Sequence, residues 1–306
     1  MDTFYQRATL LQRCSIPIAL LLIASGLYAQ NPLEDAVKQL ASDNARGYLQ
    51  PFVDGFGANM NSGLYQSADI GGLGLHLKLE FVGVGTLIGD NEKTFLGIPP
   101  PPFPQTPVRT ATVFGEQGTI VDDPSGTVQY QFQNGQIKTS FMPMIFPQVR
   151  IGNIIGTEAI IRYAPIPKID QFPKVTLFGI GARHSISQYL PLSPVDLAAG
   201  LFYQSLDIGE TFEADAFNIA AQASKSFALL TVYGGLQWET STMSVNYTYT
   251  GYGAPPGGAS LSFDLDGENN FRLMLGAGLS LLVFNLNADI NIGKVTVVSG
   301  GVGLGF

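Results

Sequence analysis

The side chains that could act as a nucleophile, a base or a metal ligand are few and scattered. The two histidines, His76 and His184, lie far apart in the sequence. A nucleophile must lie within hydrogen-bond reach of its base. Ser185 and Ser187 follow His184, but no spacing singles out such a pair. We therefore expect the protein not to be an enzyme.

Metal and nucleotide chemistry are equally poorly supported by the sequence. Asp264, Asp266 and Glu268 supply hard oxygen ligands near a glycine, but they break the spacing of a calcium loop, so we expect a solvated bend. Gly179 and Gly181 lie in an extended segment without a following helix, unlike a nucleotide-binding turn. We expect no metal and no cofactor.

The polar side chains that remain belong to segments with a period of two. The sharpest is 284–292, where apolar residues alternate with Asn285, Asn287, Asp289 and Asn291. Unpaired polar groups in a dry core cost a few kcal/mol (~2 or more), but a polar lumen removes that objection. Charged residues make up only 13% of the chain, and no run after the N-terminal segment could form a membrane helix. Lipid-facing β-strands produce this combination.

The alternation predicts an all-β fold, a transmembrane antiparallel up-and-down β-barrel. We count ten strands, or 12 if a hairpin formed by 108–120 and 127–132 joins the wall. An even number places both termini on the periplasmic side, with short links near 153–155, 225–227 and 282–284. The Pro-rich insert, about 89–136, is then extracellular, and the upper half of a long strand, 228–249, pairs with 261–265.

Polar and charged side chains on the face opposite the apolar one are expected to line the lumen. Two interpretations stay open: these groups fill the barrel and neutralise one another, or they line a conduit and select solutes. Eight strands are just filled by side chains and open channels need about 16, so a wide pore is not expected. The candidate lumen-lining residues are His76, Lys78, Glu80, Glu158, Arg162, Arg183, Asp196, Glu239, Asn285, Asn287 and Asp289.

The N-terminal residues read as an export signal followed by a plug. Arg7 and Arg13 precede an apolar stretch that ends in small residues at Ala29, which is typical of a secretory signal peptide over 1–29. Residues 30–71 follow as a short helix, starting near Asn31, and a Gly-rich loop, 47–71, that enters the lumen. This segment is either a plug or lid, or a flexible leader. The barrel then covers 72–306.

The net charge and the C-terminal residues both bear on which partners the protein has. A formal charge of -8 and a pI near 4.7 argue against nucleic acid, which requires clustered Lys and Arg. The chain ends in alternating Val302, Leu304 and Phe306. This ending resembles the closing strand of bacterial outer-membrane barrels, and the resemblance implies that it is the signal read by the barrel-assembly machinery.

Several short motifs together resemble an uncharacterised family of outer-membrane β-barrel proteins from Gram-negative bacteria. The chain is more distantly similar, in architecture, to FadL-type long-chain fatty acid transporters, which have 14 strands. The resemblance implies the bacterial outer membrane as location and its lipid as a partner. The motifs are the signal peptide, the Gly-rich lead-in, Pro147-Gln148, Gly156-Thr157-Glu158, Arg162-Tyr163, Gly179 to His184 and Phe306.

Two functions follow from this sequence. The protein is a narrow, plugged channel or transporter for a small or hydrophobic solute, gated by the segment before the barrel. Alternatively, it is a structural or surface-interaction barrel that works through its extracellular loops and transports nothing.

Overall fold

The computed structural model describes residues 42–70, 75–168, 173–190, 192–209, 212–249 and 259–305. Within these ranges one α-helix precedes a series of strands, and no helix is long and apolar enough to cross a membrane. In chain order the elements are α1 (Ser42–Met60), β1 (His76–Leu87), β2 (Thr94–Gly97), β3 (Val108–Ala111), β4 (Ile120–Asp122), β5 (Gln129–Gln131), β6 (Phe141–Ile154), β7 (Thr157–Ile166), β8 (Val175–Ser185), β9 (Asp196–Ile208), β10 (Phe212–Phe227), β11 (Leu230–Tyr249), β12 (Ala259–Asp266), β13 (Phe271–Leu281), β14 (Phe284–Ile292) and β15 (Thr296–Gly305).

Ten of the described strands form a closed antiparallel barrel. Around the wall the order is β10, β9, β8, β7, β6, β1, β15, β14, β13 and β11, and pairing of β10 with β11 closes the cylinder. β12 extends the upper part of β11 beyond the wall. The predicted ten-stranded barrel is therefore confirmed. The 12-stranded alternative is wrong, because β2 to β5 form two separate small sheets.

The alternation in the sequence decides which side chains face outward. In β1, Leu77, Leu79 and Phe81 are exposed, whereas Glu80 and Val82 between them are buried. The other wall strands carry exposed leucines and aromatic side chains in the same way. An apolar outer surface around a polar interior is the architecture of transmembrane β-barrels.

The ends of the barrel differ in the length of their connections. At the end that holds the C-terminal strand's last residues, two-residue turns link β6 to β7, β10 to β11 and β13 to β14. Their first residues, Ile155, Ala228 and Leu282, have positive φ angles of 53, 54 and 55°, as tight hairpin turns require. We refer to this end as periplasmic and to the other as extracellular, following the topology that the sequence predicts. The turns lie within a few residues of the predicted links.

The extracellular end carries the long insert between β1 and β6. The predicted pairing of 108–120 with 127–132 is wrong: β3 pairs with β2, and β4 pairs with β5. Each hairpin closes locally, which costs less loop entropy than pairing distant segments. The predicted pairing of the upper part of β11 with 261–265 is confirmed.

The segment before the barrel occupies the lumen, and it is helical where the sequence predicted a loop. Tyr48, Leu49 and Val53 are buried at helical spacing. Gly55 and Gly57 serve close packing, since a Cβ at Gly55 would lie 2.7 Å from Met142 Cε and one at Gly57 would overlap Ser241. The helix predicted to start near Asn31 lies outside the described residues.

Candidate functional site in the plugged lumen

Residues 42–70, here called the plug, run through the barrel from its extracellular to its periplasmic end. Near the start, Asn44 Nδ2 donates to Ile98 O of the insert at 2.9 Å. Near the end, the Ala68 N–H donates to Ser224 Oγ, close to the periplasmic turn after β10, at 2.9 Å. Every residue from Val53 to Gln66 is buried. This part of the plug is therefore enclosed by the barrel wall.

Four wall arginines, here called the arginine clamp, hold the lower part of the plug by its backbone. The last carbonyls of a helix have no partner within it and carry partial negative charge, so guanidinium groups are suited to them. Arg162 donates to Met60 O at 3.0 Å and to Ser62 O at 2.7 Å. The other three contacts join Arg272 to Ala58 O at 3.1 Å, Arg150 to Leu64 O at 2.6 Å, and Arg183 to Ser67 O.

Buried carboxylates balance three of the clamp arginines. Glu80 Oε2 accepts from Arg150 Nε at 2.7 Å. Glu158 Oε1 accepts from Arg150 Nη1 at 3.0 Å and from Arg183 Nε at 2.6 Å. Glu239 pairs in the same way with Arg272 on the opposite wall. Each of these buried charges therefore has a partner, as low-dielectric surroundings require.

Arg162 is held differently, because it makes no ion pair among the described residues. Its guanidinium carbon lies 4.3 Å from the centre of the Phe146 ring and 5.4 Å from that of Phe202. Its Nε donates to Gln148 Oε1 at 3.0 Å and its Nη1 to Gln204 Oε1 at 3.3 Å. Carbonyl and amide oxygens and two aromatic faces stabilise this charge. Arg162 and the two rings form a floor across the middle of the lumen.

Above this floor, one face of α1 is polar and bound to the wall. Gln50 and Asp54, one turn apart, face β12 and the turn between β14 and β15. Gln50 Nε2 donates to Asp266 O at 2.8 Å, and Lys294 Nζ lies 2.8 Å from Asp54 Oδ2. Partial burial alone would lower the pKa of Lys294, but hydrogen bonds to Asp54 and Glu268 raise it above its usual value.

The other face of α1 borders a cavity of about 100 Å³, here called the apolar chamber. It lies between the helix and the upper parts of β6 to β11, over the Phe146 side of the floor. All of its lining residues are apolar. They are Phe52, Phe56, Met142, Pro143, Met144, Ile145, Phe146, Ala164, Ile166, Val175, Leu177, Leu206, Ile208, Phe212, Ala214 and Met243.

The barrel wall beside the apolar chamber lacks strand pairing. β6 and β7 pair only from Gln148 opposite Arg162 down to their turn. Above that level, 141–147 pair with β1 alone and 163–166 pair with β8 alone. We call this unpaired stretch the upper seam. The residues on both sides of it, Met142 to Phe146 on β6 and Ala164 and Ile166 on β7, line the apolar chamber.

Prolines explain why the upper seam does not pair. Pro143 and Pro147 keep their places in the ladder with β1, and Pro165 keeps its place in the ladder with β8. A proline fits such a ladder only where its missing N–H points to the other neighbour. All three missing donors therefore fall in the seam. Continuing the β6–β7 register would bring Pro147 opposite Tyr163, Pro165 opposite 145, and Pro143 opposite 167, so each hydrogen-bonding pair would lack a donor.

The predicted lumen-lining residues fall into separate groups. His76, Lys78, Glu80, Glu158 and Arg183 meet in one network below the floor, where His76 Nε2 lies 3.2 Å from Glu158 Oε2. Arg162 forms the floor. The remaining five are dispersed: Glu239 pairs with Arg272, Asp289 contacts Tyr233, Asn285 and Asn287 lie half-buried near the periplasmic opening, and Asp196 lies half-exposed at the lower end of β9.

Sequence reasoning missed Arg150 and Arg272 as site residues, although the signal was available. Each alternates with outward apolar neighbours, as Arg272 does between Phe271 and Leu273. The apolar chamber had no such signal, because its lining residues meet only once the plug is in place.

The groups considered for acid–base or metal chemistry have ordinary contacts. His184 Nδ1 lies 2.8 Å from Thr157 Oγ1, and its Nε2 lies 2.9 Å from the Tyr189 hydroxyl. Asp264 and Asp266 accept from Ser244 and Thr242 across the β11–β12 ladder. No group of three or more His, Cys, Asp or Glu that could hold a metal occurs in the described ranges.

Val302 and Leu304 at the chain end are exposed on the outer face. Phe306 lies outside the described residues, and the role of this ending in assembly stays a prediction.

Comparison with known families shows the family of the chain. A model of a family of unknown function (DUF6588) matches residues 10–306. The chain belongs to this family. The resemblance to an uncharacterised family of outer-membrane barrels is thereby confirmed. A comparison with curated proteins finds no significant match.

Solved structures similar to this member of the family include the three that follow. The attachment invasion locus protein Ail of Yersinia pestis is 10% identical, with 76% of this chain and 99% of that chain covered and a TM-score of 0.26. The toluene transporter TodX of P. putida is 11% identical, with 78% and 69% covered and a TM-score of 0.28. The translocator domain of NalP from Neisseria meningitidis is 13% identical, with 81% and 92% covered and a TM-score of 0.26.

Proposed function

We propose that the protein is a bacterial outer-membrane transporter that takes up a small, uncharged hydrophobic solute. Its signal peptide directs export, its apolar exterior contacts membrane lipid, and its last strand is presented to the barrel-assembly machinery. The observation that carries the proposal is the apolar chamber beside an unpaired stretch of wall. A solute enters this chamber from the outer surface through the upper seam.

The size and lining of the apolar chamber select the solute class. A cavity of about 150 Å³ lined by aliphatic and aromatic side chains binds benzene, and this chamber measures about 100 Å³. It offers no charged or hydrogen-bonding side chain to a ligand, since all lining residues are apolar. Transfer of an ionised group into such surroundings without a partner is strongly unfavourable. A hydrocarbon-like molecule fits better than an acid.

Arg162, the nearest cation, does not alter this preference. Its Nε, Nη1 and Nη2 groups already donate to Gln148, Met60, Gln204 and Ser62. A carboxylate entering the chamber could bind Arg162 only by displacing the plug carbonyls. The guanidinium therefore acts as a structural floor and leaves the solute's recognition to shape and burial of apolar surface.

The upper seam supplies the access that the plugged axis denies. Non-helical backbone at membrane depth is tolerated where it borders protein or a cavity, and the seam borders the apolar chamber. Because the prolines prevent pairing in the upper seam, the sequence itself encodes this opening.

Filling the apolar chamber tests the proposal. Ala214 points into the chamber from β10, and Ala221 of the same strand points to lipid. We expect Ala214→Phe to weaken binding of naphthalene to the purified protein at least tenfold, measured by naphthalene fluorescence, and to slow its uptake into proteoliposomes. Ala221→Phe is the matched control and should bind as the wild type does.

Two results would overturn the proposal. One is unchanged naphthalene binding in Ala214→Phe. The other is displacement of naphthalene by octanoate at lower concentration than by a neutral hydrocarbon. Absence of binding in the wild type would favour the structural or surface-interaction function, in which the extracellular insert is the working part.

A further inference from the structure

A second cavity lies at the periplasmic end of the lumen, below the arginine clamp. It measures about 420 Å³ and opens towards the periplasmic turns. We call it the polar vestibule, because charged, amide and hydroxyl side chains dominate its lining. The residues used below are Gln66, His76, Lys78, Arg150, Glu158 and Arg183.

The two buried carboxylates at the polar vestibule, Glu80 and Glu158, are already occupied, and the exposed Asp69 also belongs to its lining. Glu80, just behind its lining, accepts from Lys78 at 2.9 Å through Oε1 and from Gln148 and Arg150 through Oε2. Glu158 accepts from Arg150 and Arg183 through Oε1, and its Oε2 lies 3.2 Å from His76 Nε2. All four carboxylate oxygens therefore have partners.

Donors, by contrast, remain in excess. Gln66 is 92% buried and its Oε1 accepts from Lys78 Nζ at 3.0 Å, but its Nε2 has no partner among the described residues. Lys78 Nζ has three protons and uses two, for Glu80 and Gln66. Within the described residues Arg183 uses Nε for Glu158 and Nη1 for Ser67 O, which leaves Nη2, although of these donors only Gln66 Nε2 is both buried and without a partner. Buried donors without partners are unfavourable and rare.

We propose that the polar vestibule binds a small oxyanion, a carboxylate or phosphate, from the periplasm. Lys78 and Arg183 supply charge-assisted donors, and a small rotation of the Gln66 amide adds a neutral donor. The oxygens of one bound anion accept from the donors that Glu80 and Glu158 do not use. The site is independent of the proposed transport function, because the plug and the arginine clamp separate it from the apolar chamber.

Titration with anions tests this site. The full-length protein in detergent is titrated calorimetrically with inorganic phosphate and, separately, with acetate. We expect saturable binding of at least one of them, weakened about tenfold in Lys78→Met and in Gln66→Leu. Lys138→Met, in the extracellular insert, is the matched control and should bind like the wild type.

Gln66→Leu is the deciding variant, because it removes no charge and keeps the Lys78–Glu80 ion pair. Its thermal unfolding and naphthalene binding should match the wild type. Binding that persists in both Gln66→Leu and Lys78→Met would disprove the site. So would heats that never saturate in the wild type, since the vestibule would then hold water alone.

Discussion

The upper and lower halves of the lumen contact the plug through different kinds of interaction. At and below the floor, directional hydrogen bonds from four arginines reach the plug's carbonyls, and each carboxylate oxygen of Glu80 and Glu158 has a partner. Above it, one face of α1 meets only apolar side chains, beside a wall stretch without pairing. The lower half fixes the plug in one position, and the upper half leaves space that a solute can use.

The difference follows from how each interaction depends on geometry. Charge-assisted hydrogen bonds require defined distances and angles, so they specify one position of the plug. Burial of apolar surface is non-directional, so the chamber tolerates a guest in place of contacts between helix and wall. The four predictions below change one half and leave the other intact, in order of decreasing effect.

The largest effect is expected from Arg162→Leu, because it removes the floor. The change leaves the Ser62 carbonyl and the side-chain oxygens of Gln148 and Gln204 without this donor, whereas Met60 O keeps Gln204 Nε2 at 3.0 Å. Each unsatisfied group costs about 1–3 kcal/mol. We expect a loss of about 3 kcal/mol in the free energy of unfolding, measured by urea titration in detergent micelles, and a rise in planar-bilayer conductance as the plug loosens.

Arg109→Leu provides the comparison for that variant. Arg109 lies on the exposed surface of the insert, with one long contact to Thr94, and its loss should alter neither stability nor conductance. If Arg162→Leu left both quantities unchanged as well, the floor would have no part in holding the plug.

A smaller loss is expected from Glu158→Gln. The carboxylate accepts from Arg150 and Arg183 at once. A neutral amide leaves Arg183 without its carboxylate, whereas Arg150 keeps Glu80, so we expect a loss of about 1.5–3 kcal/mol from the weakened charged hydrogen bonds. Urea unfolding would measure this loss. Naphthalene binding above the floor should stay within a factor of two. Glu268→Gln, at an exposed acid of the upper rim, is the control, and an equal loss there would remove the distinction between buried and exposed acids.

The upper seam gives the third prediction. Replacing Pro147 and Pro165 by Val supplies two donors in β-branched residues that favour strands, so the seam should pair further upward. We expect naphthalene uptake to slow severalfold, while its equilibrium binding changes little. New hydrogen-exchange protection in 145–147 and 163–165 would report the closure.

Pro104→Val, in the extracellular insert, controls for the loss of a proline. Unaltered uptake despite measurable new protection in the seam would show that the solute enters elsewhere.

Most of the wall could be predicted from the sequence, and most of the site could not. Period-two alternation placed Leu77, Leu79 and Phe81 outside and Glu80 inside, because lipid and lumen differ sharply in polarity. The helix over 42–60 was missed, because Gly55 and Gly57 read as loop residues until the wall that packs against them is known. The apolar chamber depends on side chains from α1 and six strands, and no local sequence pattern shows that these side chains meet.

The smallest effect concerns the ion pair that ties the upper end of α1 to the rim. Lys294 lies 2.8 Å from Asp54, and partly exposed pairs contribute about 0.2–1 kcal/mol. Because the hydrogen bonds to Asp54 and Glu268 raise the pKa of Lys294, its contribution is complete below the unfolded lysine value of 10.5 and is lost as pH rises through the higher folded value.

Lys294→Met should therefore be about 0.5 kcal/mol less stable than the wild type at pH 8, and the difference should vanish at the alkaline end of a urea series. Lys93→Met, at an exposed pair with Asp90, should show almost no difference at either pH. A difference in unfolding free energy between Lys294→Met and the wild type that persisted above the folded pKa would mean that the lysine acts through its methylene stem. The upper end of the plug would then be held by packing, as its chamber face is.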